Sequence, residues 1–163
     1  KPTIAAINGV AAGGGFSLAM SCDIRLMAQS ARLVSTFTKR GLVPDGGLTY
    51  TLTHIVGAAR AAEIIFCSDT VEATQAEKLG LTNWVVPEGE LMDAAMSLAL
   101  KIAQNAPLAL AASKKAIYLA LKGDIKQSLD FEGRSQLEIF LSKDFREGIQ
   151  SFLEKREPVY RGE

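Results

Sequence analysis

The sequence predicts an α/β fold: a largely parallel sheet of βαβ units in the first half, followed by helices. Three observations carry this. "PTIAAING" is a short apolar run closed by Asn8-Gly9, as a buried strand would be. The glycine-rich "VAAGGGFSLAMSCD" then leads into a helical pattern, and two further strand-like runs follow. Strand, glycine turn, helix, strand is the rhythm of a parallel sheet with helices packed on it. From Leu48 onward the periodicity becomes helical, with no repeat and no low-complexity tract.

Taken in order, a helix is expected over about Gly14 to Ser21, then strands at "DIRLMAQ" and "ARLVS". "KRGLVPDGG" (39–47) is a loop, because Gly41, Pro44, Gly46 and Gly47 all interrupt regular structure. "LTYTLTHIVG" and "AARAAEIIFCS" form helices separated by Gly57, and "EATQAEKLG" forms a short one with Gly80 as its C-cap. "LTNWVVP" is a brief extended piece. Longer helices run from about Leu91 to Asn105, Pro107 to Leu121 and Ile125 to Ser142, and a last one starts near Asp144. Pro107 suits a first-turn position. Ile125, Leu129, Leu137 and Phe140 fit one helical stripe.

Composition excludes several classes of function. The 163 residues suffice for one ordinary domain with a core, and 48% hydrophobic residues exclude general disorder. Eighteen Lys and Arg balance eighteen Asp and Glu, so no global field attracts nucleic acid or an anionic membrane. Cys22 and Cys67 are too few for a disulfide framework and have no company for a metal site. No apolar run has the length of a membrane span. The chain starts without Met inside an apolar run, which leads to the expectation that an N-terminal portion, with any targeting segment, precedes Lys1.

Three uses compete for Gly13-Gly14-Gly15. A phosphate cradle fails, since neither a Gly-Lys-Ser/Thr ending nor dinucleotide spacing is present. A tight turn packing a strand closely on a helix would need glycine. An oxyanion site would need it too: an N–H at a helix N-terminus points outward, and glycine lets a carbonyl approach. Composition leaves the last two open.

"KPTIAAINGVAAGGGFSLAMSCDIRLMAQSA", "GLVPDGG", "GAARAAEIIFCSDTVEATQAEKLGLTNWVVP" and "REGIQSFLEKREP" together resemble the enoyl-CoA hydratase/isomerase (crotonase) superfamily, over essentially the whole chain. The resemblance implies a spiral of βαβ units over residues 1–90 and a helical oligomerisation region over 91–163. It further implies a homotrimer or dimer of trimers, an acyl-CoA thioester as substrate, coenzyme A only as part of that substrate, and no metal. A bacterial cytoplasmic setting is expected, with mitochondria or peroxisomes left open by the start of the chain. Two backbone N–H groups hold the thioester enolate in such proteins. One falls on Gly14, flanked by Gly13 and Gly15, and the other, with much of the CoA loop, would lie upstream of Lys1. The fragment alone is therefore expected to be inactive.

Carried over by position, the two glutamates of the hydratases fall on Ser17 and Phe37, neither of which is a carboxylate. The third acid/base position falls on Asp45, with Leu42 in the same loop lining the substrate. One carboxylate against an apolar acyl chain suffices to move a proton between carbons. The pattern is most similar to ring-epoxide isomerases of phenylacetyl-CoA breakdown and to Δ3,Δ2-enoyl-CoA isomerases. Asp45 would otherwise serve as an N-cap for the helix opened by Gly46-Gly47-Leu48. Alternatives are an enoyl-CoA hydratase-like activity, disfavoured by the two missing carboxylates, a hydrolase or dehalogenase with Asp45 as nucleophile, and a non-catalytic CoA-binding subunit. Phe152 and Lys155 would reach the CoA of a neighbouring subunit, Lys155 towards phosphate. His54, the only histidine, reads as a packing or surface residue, Cys22 as filler, and Lys114 and Lys115 as a solvated face.

Overall fold

The computed structural model describes all of residues 1–163. The chain divides into two compact units, Thr3–Ser97 and Leu98–Glu163 with Lys1–Pro2. Helix α4 (Leu91–Ala103) crosses the division.

The first unit holds two three-stranded sheets. In one, β3 (Ile24–Ala28) lies between β1 (Ile4–Ile7) and β6 (Trp84–Val86), and both pairings are parallel. Its central place explains the unbroken apolar run Leu26-Met27-Ala28, buried on both faces. In the other sheet, β4 (Arg32–Val34) runs parallel to β2 (Val10–Ala12) and antiparallel to β5 (Val71–Glu72). The parallel expectation therefore holds except at β5. Two and three residues long, β5 and β2 are too short to show a period in the sequence. β1 and β2 each pair along one edge only.

Helix α1 (Gly14–Ser21) follows the glycine turn and anchors itself through the fully buried Phe16. Helix α2 (Leu48–Cys67) breaks at Gly57, whose φ of 76° and ψ of 163° separate two helical pieces as the sequence implied. The short α3 (Ala73–Lys78) ends with Gly80 at φ 73° beyond its C-cap Leu79. Phe16, Met27, Leu33, Leu48, Leu52 and Leu81 are the large side chains with essentially no exposure. Burying each stabilises the unit by roughly 1.5–3 kcal/mol. Arg25 is also buried: its Nε donates to the Leu81 carbonyl at 2.8 Å and one terminal nitrogen donates to the Cys22 carbonyl at 2.6 Å.

The second unit is helical, with α5 (Pro107–Ala120), α6 (Ile125–Phe140) and α7 (Lys143–Glu154). Asp124 caps α6 and Ser142 caps α7, each accepting a backbone N–H three residues on. The stripe Ile125, Leu129, Leu137 and Phe140 is 45–74% exposed. No helix is long and apolar enough to cross a membrane.

The closing "REG" of this unit has a physical reading. Glu147 takes two bonds from Arg156, at 2.6 and 2.9 Å, and one from the Val159 N–H at 2.8 Å. A side chain at Gly148 would meet the Tyr160 hydroxyl at 3.2 Å. One residue therefore ties the tail down and the next leaves room for it. The Arg156 hydrogen bonds, then that of Val159, lower the Glu147 carboxyl from its ordinary 4.5 to about 2. A lowered carboxyl stabilises the fold above its ordinary value and loses that contribution as pH falls towards the folded one. The tail should accordingly loosen between about pH 4.5 and 2, and Glu147→Gln should remove the Glu147 share of that acid step. The shares of Glu154 and Glu163 remain, their carboxyls being lowered by Gln150 with Arg156 and by Lys143 respectively. Amide exchange at Val159 measured across this range reads it directly.

Candidate active site

Gly13 makes the turn ahead of α1. It has φ 51°, and its N–H donates to the Val34 carbonyl at 3.0 Å. A Cβ there would sit 3.1 Å from Thr36 Oγ1 and 3.8 Å from the Phe37 ring. Gly13 is thus glycine for backbone and packing reasons. Gly14 and Gly15 differ from it. Both are exposed, neither has an atom within 4 Å of a would-be Cβ, and neither has positive φ. Close packing accounts for the first glycine of the triplet and leaves the other two facing open space.

The first bond into α1 runs from the Ser17 N–H to the Gly13 carbonyl at 3.0 Å. The N–H groups of Gly14, Gly15 and Phe16 precede it, so they point outward from the helix start, where the dipole is positive. No carboxylate occupies the first turn. This arrangement can hold a developing oxyanion.

The other sequence-selected residues of this unit gather behind that turn. Phe37 is buried, its ring facing Gly13. Ser17 is buried as well, and its hydroxyl donates to the Gly13 carbonyl at 3.3 Å. The loop after Phe37 returns to the same helix, since a Cβ on Gly46 would lie 2.9 Å from Ser17 Cβ. That contact, together with φ 58° at Gly46, brings the residue next to Asp45 directly onto α1. Asp45 itself is exposed, as are Leu42 and Val43.

Asp45 does not cap α2. The N-cap is Gly47 in the left-handed region, with no side-chain capping bond, and the Asp45 carbonyl, not its carboxylate, accepts the Leu48 N–H at 3.1 Å. The carboxylate is left for other work. His54 is exposed, its Nδ1 2.8 Å from the Tyr50 carbonyl. Cys22 is half-buried against the Leu18 carbonyl. Phe152 and Lys155 belong to the other unit, where Phe152 is exposed and Lys155 ends α7 in the left-handed conformation at φ 55°.

Two residues in this arrangement escape the sequence reading. Gly46 is one of a breaker pair, and nothing in "DGG" says which glycine touches Ser17. Thr36 holds φ 53°, a conformation β-branched residues rarely adopt, and no local motif signals it.

A parallel sheet carries a helix start with bare N–H groups, and the loop bearing Asp45 adjoins it. The chain superimposes on an enoyl-CoA hydratase from Bacillus anthracis with TM-score 0.96 and 40% identity, covering all of this chain and 63% of that one. It is 41% identical over 156 residues to the short-chain-enoyl-CoA hydratase of Clostridium acetobutylicum, covering 96% of this chain and 60% of that protein. It is 40% identical over 162 residues to the 1,2-epoxyphenylacetyl-CoA isomerase of Escherichia coli, covering 99% and 62%. The enoyl-CoA hydratase/isomerase family model matches residues 1–163. The chain belongs to the enoyl-CoA hydratase/isomerase family and has the crotonase fold. It spans about three-fifths of the length of these relatives.

Proposed function

We propose that the full-length protein is an acyl-CoA isomerase that shifts a double bond, or rearranges a ring epoxide, through a thioester enolate. The observation that carries this reading is the wall of the site. Phe37, where the resemblance puts the second glutamate of a hydratase, is a buried ring against the Gly13 turn. Ser17, at the first glutamate's place, has its hydroxyl directed to the Gly13 carbonyl. Neither holds a water by a carboxylate, and Asp45 in the adjoining loop is free of capping duty.

The Asp45 carboxylate removes a proton from C2 of a 3-enoyl thioester. Electrons from that C–H bond form the dienolate, whose charge on the thioester oxygen the Gly14 N–H stabilises, with a second N–H from upstream of Lys1. The protonated Asp45 returns the proton to C4, leaving the double bond between C2 and C3. No water enters the product. Phe152 and Lys155 serve the CoA of an adjoining subunit in a trimer or pair of trimers. The exposed apolar stripe of α6 supplies the kind of surface such an assembly covers.

The test is product analysis of the full-length protein given a 3-enoyl-CoA in ¹⁸O-labelled water. The expected product is unlabelled 2-enoyl-CoA. A 3-enoyl-CoA left unconverted, with 2-enoyl-CoA taken instead to labelled 3-hydroxyacyl-CoA, would overturn the reading in favour of hydration.

A further inference from the structure

Thr38–Arg40 forms a single 3-10 turn between Phe37 and the Asp45 loop. The backbone just before it is strained, with Thr36 at φ 53°. Such a kink persists only where the surroundings hold it. What holds it lies 27 to 30 residues further on, at the C-terminal end of α2. Thr38 Oγ1 donates to the Ile65 carbonyl at 2.9 Å and lies 2.9 Å from Ser68 Oγ, which itself donates to Ile65 at 3.1 Å. Two hydroxyl protons thus serve a triangle of three contacts. Lys39 Nζ donates to the Ser68 carbonyl at 2.9 Å, placing a cation at the negative end of the helix. Ser68 is buried and left-handed at φ 50°, so its carbonyl turns out of the helix towards Lys39. Thr38 and Lys39 are both exposed and support no core. Their side chains connect a strained corner to a helix end.

We infer that Thr38, Lys39 and Ser68 form a latch that positions Phe37 against the Gly13 turn and, through the loop that follows, sets the approach of Asp45. These are positioning residues, acting through Phe37 and Asp45 and not on substrate. The inference rests on the reading of Phe37 as the dry wall of the site. Releasing the latch lets the Thr36 kink relax, the ring withdraw and water reach C3 of the conjugated 2-enoyl thioester.

The experiment uses the full-length protein with Thr38→Val and, separately, Lys39→Met, each compared with its conservative counterpart Thr38→Ser or Lys39→Arg. The readout is the ratio of the rate of 2-enoyl-CoA hydration to the rate of 3-enoyl-CoA isomerisation, both measured on one preparation, which does not depend on how much of the protein is folded. The ratio is expected to rise about tenfold in Thr38→Val and Lys39→Met through a gain in hydration itself, with isomerisation kcat down by no more than about threefold and KM for the thioester within about twofold. Thr38→Ser and Lys39→Arg should restore both. An unchanged ratio in Thr38→Val and Lys39→Met overturns the latch. If the unaltered protein hydrates 2-enoyl-CoA and leaves 3-enoyl-CoA unconverted, the isomerase reading fails; the latch is then judged by whether hydration still rises in Thr38→Val and Lys39→Met.

Discussion

Asp45→Asn in the full-length protein is expected to lower kcat for isomerisation of a 3-enoyl-CoA by about two to four decades, the usual worth of a general acid–base group. KM should change little, because the amide keeps the shape of the carboxylate and removes only its ability to take up a proton. Stability should also change little. Asp45 is exposed, it makes no side-chain cap, and its carbonyl, which accepts the Leu48 N–H, is untouched by the substitution. A drop in kcat without a drop in melting temperature therefore separates chemistry from folding. Solvent-deuterium incorporation at C2 gives the finer check. If Asp45 moves the proton, exchange and isomerisation should fall together, whereas exchange that survives in Asp45→Asn would assign the base elsewhere. Isomerisation that continues undiminished would remove Asp45 from the mechanism.

Much of this arrangement was legible in the sequence because it lies in local patterns. The helix Gly14–Ser21 is announced by three glycines before an apolar stretch, and the break at Gly57 by a lone glycine between two periodic runs. The departures at Ser17 and Phe37 needed only position within a recognised motif. What stayed hidden depends on contacts between distant segments. β2 and β5 exist because β4 offers them edges, and three or two residues cannot show a period of their own. The division of labour within the glycine triplet is likewise tertiary: Gly13 meets Thr36 and Phe37, more than twenty residues on, while Gly14 and Gly15 meet nothing. The Thr38–Ser68 tie has no sequence signature, because a threonine and a serine thirty residues apart are common in any chain.

The contact between Gly46 and Ser17 makes the strongest demand on the loop that carries Asp45. Gly46→Ala introduces a methyl group 2.9 Å from Ser17 Cβ, an atom fixed to the α1 backbone and unable to rotate away. The residue also sits at φ 58°, which costs an L-residue about 1–2 kcal/mol irrespective of space. Adding about 1–3 kcal/mol for the overpacking gives a total of about 2–5 kcal/mol. That strain can be met by unfolding or by lifting the loop away from α1. Lifting is the easier route, since Leu42, Val43, Asp45 and Gly47 around it are all exposed and no core is broken. The expected result is a loss of one to three decades in isomerisation, from a displacement of about an ångström at Asp45, with a smaller fall in melting temperature than the full strain implies. The steric part of this claim is separable from the backbone part. Ser17→Gly removes the atom that clashes, so Gly46→Ala made in that background should cost only the left-handed penalty. The two substitutions should couple by about 1–3 kcal/mol in a double-mutant cycle read on kcat/KM. Strict additivity would mean that Ser17 does not limit the loop. Coupling of the expected size would establish that the helix beginning at Gly14 and the loop bearing Asp45 are set against each other through the close contact of Gly46 with Ser17.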